Sequence, residues 1–215
     1  MSEYLAHLLA AVARNAASDT APPADRTSEV LLDAALREAG AVGLARVTYE
    51  EVVRRAGVAR MTAYRRFPKR EDLVTALVQR EVGRFLAAVA ASIEGTESTA
   101  EGVVASFAGA VAFARAHPML RRAGEEPGEL MATVAADGAR VLQLGTGFIA
   151  SYLHGGVPGD PSQEELWVAE AFARLFLTYV SIPPSDPSFA DDAEIRRFAE
   201  TVLAPMAQRV IDASS

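Results

Sequence analysis

From Thr48 to Arg70 the chain reads TYEEVVRRAGVARMTAYRRFPKR, and this run narrows the available folds more than any other stretch. Thr48 and Glu51 have the T-x-x-E spacing of a capping box, so a helix is expected to start at Tyr49. Val52, Val53 and Ala56 would form its buried side. Gly57 can end that helix in the left-handed region, and Val58 plugs the turn that follows. A second helix is expected from about Arg60 to Phe67, where Pro68 stops it, with Phe67 a core residue. Two short helices joined by a tight glycine-containing turn make a helix-turn-helix, whose second helix lies in the DNA major groove.

The charge of the run agrees. Seven of the seventeen residues from Arg54 to Arg70 are basic, and no acid falls between Val52 and Arg70. The whole chain is nevertheless acidic, with a net charge of −7 over 215 residues. The balance is uneven along the chain. Residues 26–90 hold twelve bases against eight acids, net +4, whereas residues 91–215 hold eight against seventeen, net −9. The first twenty-five residues are net −2. An acidic body carrying a basic head implies a nucleic-acid partner at one end only.

The remaining chain is periodic in the helical sense and shows no strand alternation, so the expected fold is all-α. Residues 2–17 read as an amphipathic helix, and SDTAPPAD breaks it as a linker. A helix capped by Thr27 or Ser28 should run to about Ala39 and stop at Gly40. A third helix, after the helix-turn-helix pair, should open near Arg70 and continue to roughly Ile93. Beyond it, helices are expected over Ala100–Ala116 and Leu130–His154. A further helix is opened by a second capping box at Ser162 and Glu165, and a final one is mildly kinked at Pro205. The expected organisation is an N-terminal helix and linker over 1–25, a helix-turn-helix domain over 26–80, and a larger helical domain over 81–215.

With these residues in hand, the segment 27–80 resembles the DNA-binding domain of TetR-family transcriptional regulators. The Thr-led helix, A-G-V at the turn, the T-x-Y-x-x-F pattern of the second helix and the basic opening of the next all stand at family spacing. Three positions depart: Ala59 where a Ser often caps, Arg66 for an aromatic or His, and Arg70 for Lys. From the chemistry of base recognition, Arg60 suits a bidentate guanine contact and Met61 a thymine methyl. Thr62 and Arg65 share their face and suit base or backbone. The resemblance implies that Thr48, Tyr64, Lys69 and Arg70 contact phosphates. It also implies a homodimer on double-stranded operator DNA, since paired recognition helices must sit about 34–36 Å apart.

The same resemblance implies a small-molecule effector held in the helical body. Phe107, Phe113, Met119, Phe148, Tyr152, Trp167 and Phe172 are the candidate lining, and Leu175, Tyr179, Phe198, Val202 and Met206 the candidate dimer interface. The expected activity is a bacterial repressor released from its operator by an apolar or amphipathic molecule. A ligand-blind regulator, an activator and a helical small-molecule carrier remain open. His7, His117 and His154 stand in unrelated contexts; His117 beside Pro118 and His154 before Gly-Gly read as helix-end residues. The paired acids, Glu164-Glu165 among them, are explained by helix dipoles and solvation. No metal-ligand spacing, nucleophile elbow or phosphate-binding loop is visible, so neither enzyme, metal nor cofactor is expected. The chain has no cysteine. With no export signal and no run of about eighteen uncharged apolar residues, a cytoplasmic protein without a membrane partner is the expectation.

Overall fold

The computed structural model describes residues 25–125, 142–143, 145–155, 160–181, 189 and 191–214, and these form helices and their connections. The expected helix over 2–17 and most of the expected Leu130–His154 helix lie outside the described residues.

The head begins with α1 (Arg26–Val42). Its cap is Asp25, two positions before the expected Thr27 and three before Ser28. Asp25 Oδ1 accepts the backbone N–H of Thr27 at 2.8 Å and of Ser28 at 3.0 Å. Those amide bonds, the Ser28 one foremost, hold the Asp25 carboxyl below its ordinary range. Nor does α1 stop at Gly40. It continues to Val42 and ends on Gly43, whose φ of 88° suits a residue without Cβ. Gly40 instead gives room to a neighbour, because a Cβ built there would lie 2.7 Å from Pro118 Cβ.

A single 3-10 turn, Leu44–Arg46, leads to α2 (Tyr49–Ala56) and α3 (Arg60–Arg66). Thr48 Oγ1 accepts the Glu51 amide as expected. The Glu51 carboxylate bonds Arg54 and Arg55. Gly57 closes α2 at φ 64°, in the left-handed region. Next comes α4 (Arg70–Ile93), long enough to belong to both head and body. Leu31, Ala35, Val47, Tyr49, Val52, Ala63, Phe67, Leu73 and Leu77 form one buried apolar cluster that joins α1 to α4. Phe67 is almost fully enclosed there. Burial of a side chain that size contributes about 1.5–3 kcal/mol.

The body comprises α5 (Thr99–Ala116), α6 (Pro118–Glu125), a helical segment α7 over residues 145–153, and α8 (Gln163–Ser181). The chain ends in α9 (Asp192–Phe198) and α10 (Ala204–Ser214). Ser98 caps α5, and the Ser162–Glu165 pair opens α8 as expected. α9 and α10 are continuous through a π-helical stretch, Ala199–Leu203, in which the Ala204 amide bonds the Ala199 carbonyl. The wider turn lies directly before Pro205, which has no amide to donate and crowds the preceding carbonyls. The expected kink is thus taken up as a π turn. A second buried cluster, from Leu86 through Phe107, Phe148 and Phe172 to Leu203, holds α4, α5, α7, α8 and the last helix together.

Candidate nucleic-acid interface and effector cavity

The two helices of the head are locked by an aromatic pair. Tyr49 of α2 stacks on Tyr64 of α3, and the Tyr49 hydroxyl donates to the Phe67 carbonyl at 2.8 Å. Burial of that phenol raises its pKa. Arg55 reaches the buried Glu38 of α1 at 2.7 Å, and Arg66 pairs with Asp25 at 3.1 Å. Basic side chains of this run therefore have two kinds of work. Arg55 and Arg66 tie helices to one another.

Arg60, Met61, Thr62 and Arg65 lie along the first turns of α3. Met61 is 73% exposed, unusual for a large apolar side chain in a small domain. Arg60 reaches the Tyr64 hydroxyl at 3.2 Å and lies over its ring, 5.5 Å from the centroid, with Glu50 at 3.6 Å. These contacts hold the guanidinium at the surface of the helix. Arg65 and Lys69 are exposed.

Arg70, expected to contact phosphate, is engaged on backbone carbonyls of the head. Its guanidinium donates to the carbonyls of Val47 at 2.6 Å, Leu44 at 3.0 Å and Ala45 at 2.9 Å. It thereby fixes the 3-10 turn that delivers Thr48 to the start of α2. An Arg with its planar fork can serve three carbonyls at once, which explains why Arg rather than Lys stands there. Lys69 is the basic residue at this helix start whose side chain remains exposed.

In the body, a cavity of about 120 Å³ lies between α4, α5, α7, α8 and the last helix. That is well above the roughly 10–15 Å³ a single water needs. Phe107, Phe148, Tyr152 and Phe172 line it, as expected. So do Phe85, Leu142, Ser106 and Phe176, which sequence reasoning missed. Phe176 was recoverable, being one turn beyond Phe172 on the same stripe. Phe85 was not, because the α4 pattern alone cannot say which apolar residue faces a void. The Tyr152 hydroxyl sits beside Thr96 and over Gly102, where a Cβ would lie 1.7 Å from it. Burial raises the pKa of this phenol too.

Three expected lining residues are elsewhere. Met119 packs against the apolar cluster of the head. Phe113 stacks on His117 rather than facing the cavity. Trp167, 62% exposed, points outward from α8. The expected dimer set also divides. Tyr179 and Phe198 meet each other, Phe189 and Phe107 in an intrachain aromatic group, and Leu175 packs on the same core. Aromatic periodicity could not separate these faces. Val202 and Met206 are exposed, and Trp167 joins them as a large exposed apolar side chain on the last helices.

Two histidines prove to be partners of buried carboxylates. His117 Nε2 lies 3.0 Å from Glu81 Oε2, and His154 Nδ1 lies 3.1 Å from Glu165 Oε2. Burial alone would raise the Glu81 carboxyl, but bonds from His117 and Arg80 outweigh it and the net shift is downward. Glu165 is only 1% exposed, which overturns its reading as a solvated helix-start acid.

A basic helix-turn-helix on a helical body with an internal apolar cavity defines a ligand-sensing DNA-binding regulator. Residues 31–77 match the family model for bacterial regulatory proteins of the tetR family, and residues 99–201 match that for the bacterial tetracyclin repressor C-terminal domain. The chain belongs to the TetR family of transcriptional regulators. It is 24% identical over 176 residues to the HTH-type transcriptional regulator AlkX of Mycobacterium tuberculosis, 76% of each chain. It has the fold of the TetR family repressor AlkX from a Dietzia strain, a protein implicated in biodegradation of n-alkanes, with TM-score 0.61 and 22% identity over 84% of this chain and 97% of that one. The fatty acid degradation regulator FadR of Bacillus halodurans shares the fold at TM-score 0.53 and 16% identity, over 87% of this chain and 95% of that one. No helix among the described residues is long and apolar enough to cross a membrane.

Proposed function

We propose that two copies of this chain bind operator DNA as a cytoplasmic repressor and leave it when an aliphatic molecule enters the body cavity. The observation that carries this reading is the apolar cavity, which shares α4 with the DNA-reading head. Sequence is read by Arg60, Met61, Thr62 and Arg65, and phosphates are held by Thr48, Tyr64 and Lys69. The exposed Trp167, Val202 and Met206 on the last helices supply the surface that a second copy would bury. Relatives described by n-alkane and fatty acid degradation support an aliphatic effector, and the wall of phenylalanines suits one. Release follows if the effector binds better to a body arrangement that no longer sets the two heads at operator spacing.

The test is selection of bound fragments from genomic DNA, followed by titration of the selected duplex with and without decane or dodecanoate. A loss of affinity with either probe supports the reading. Unchanged affinity with both, alongside measured binding of the probes, would sink it.

A further inference from the structure

An unbroken series of contacts runs from the cavity wall to the first helix of the head. Phe85 and Phe176 both line the cavity, and their rings stack at 5.0 Å. Phe85 meets Phe113 edge-on at 5.5 Å, and Phe113 stacks on His117 at 5.1 Å. His117 reaches Glu81, whose other oxygen accepts from Arg80 at 2.7 Å and Arg84 at 3.2 Å. Arg80 in turn bonds Asp33 at 2.8 Å and Glu29 at 3.0 Å, both on α1. Beside this series, α6 docks on the C-terminal end of α1. Pro118 fills the space that Gly40 leaves, Met119 enters the head cluster, and Arg122 donates to the Ala41 carbonyl at 2.9 Å.

We propose that His117 and Glu81 are positioning residues through which the DNA-binding head reads occupancy of the body cavity. The proposal rests on the ligand-release reading above. His117 is the point of conversion, where an apolar displacement becomes an electrostatic one. Its ring is only 8% exposed, and its Nδ1 has no hydrogen-bond partner among the described residues. The Phe113 stack and the Glu81 bond therefore fix its orientation. A molecule that moves Phe85 or Phe176 shifts Phe113, and the imidazole must follow or lose the stack. Either outcome alters the Glu81 bond. Arg80, which Glu81 holds, then redistributes its bonds to Glu29 and Asp33, which fix the tilt of α1 on α4. The rival route is α4 itself, moving as a rigid rod without help from the side chains.

A cavity-filling substitution can stand in for the ligand. Ala110 faces the cavity from α5, and Ala110→Leu adds three carbons to a space able to hold them. DNA affinity of the full-length protein is measured on the selected duplex for Ala110→Leu in three backgrounds: parent, His117→Leu and His117→Gln. In the parent, Ala110→Leu is expected to weaken DNA binding about tenfold, within the usual span of allosteric coupling. With His117→Leu, which keeps apolar volume and removes the donor to Glu81, the weakening should fall below about threefold. His117→Gln restores a donor and should recover part of it. A lost packing contact alone would not give that recovery. Phe113→Leu, which breaks the stack, repeats the test if His117→Leu fails to fold by thermal melting. Equal weakening in every background overturns the proposal in favour of α4 alone. No weakening in the folded parent would overturn the ligand-release reading itself, and this proposal with it.

Discussion

Tyr49 and Tyr64 lie face to face, with ring centroids 4.8 Å apart and planes 16° apart, so the two helices of the DNA-reading unit meet through one aromatic stack. The Tyr49 hydroxyl closes the joint on the Phe67 carbonyl. Tyr49→Phe keeps the stack and removes the buried donor, which should cost about 1 kcal/mol. A urea titration should show a lower midpoint at unchanged slope. An unshifted midpoint would mean that the bond contributes nothing to the unit.

Arg70 and Lys69 are neighbours with opposite assignments, and mutation separates them. Arg70→Lys cannot reach three carbonyls in the same geometry, so it should lose about 2 kcal/mol of stability. Its salt dependence of DNA binding should stay as in the parent. Lys69→Ala should leave stability alone and lower the slope of log affinity against log salt by about one. The reverse pattern would restore Arg70 as the phosphate contact.

Gly102 leaves the space that the Tyr152 hydroxyl occupies at the cavity wall. A Cβ there would lie 1.7 Å from the oxygen and 2.7 Å from Cζ. Gly102→Ala must push Tyr152 aside, at a cost of about 1–3 kcal/mol for overpacking. Thermal melting should show the loss, and Tyr152→Leu in the same chain should recover part of it. If Gly102→Ala melts with the parent, the wall is softer than these contacts imply.

Glu165 gives a pH signature. Burial would raise its carboxyl, but bonds from the Ser162 amide and His154 outweigh it and hold it below the ordinary 4.5. A carboxyl lowered in the folded state stabilises above its unfolded value and loses that contribution as pH falls through the folded one. The stability gap between parent and Glu165→Gln should therefore be widest near about pH 6 and shrink toward about pH 3. A gap constant across that range would show that the charge of Glu165 is immaterial.

How much of this was legible in the sequence depended on whether local spacing or tertiary contact set the outcome. The Thr48 cap, the Gly57 turn and the Ser162–Glu165 box are fixed by residues within four positions, and each stands where expected. Asp25 displaced Thr27 and Ser28 as a cap because both amides were better served by one carboxylate. Gly40 looked like a helix stop, yet its job is to admit Pro118 from 78 residues away. Among the aromatics, spacing identified helices and buried stripes but not which ring faces a void. Phe107 and Phe172 reached the cavity, while Phe113 turned to His117 and Trp167 turned outward. The His117–Glu81 pair is bridged across 36 positions, so no local pattern could announce it.

The central claim, a sequence-reading DNA regulator, is tested most directly by a salt series on two duplexes, the selected one and a shuffled version. Affinity for the selected duplex should exceed that for the shuffled one by at least about 10³-fold. Both should fall linearly in log affinity against log salt. Arg60→Ala should narrow the gap between the two lines without flattening the one for the shuffled duplex by more than about one unit of slope. Equal affinity for both duplexes, or affinity indifferent to salt, would contradict it.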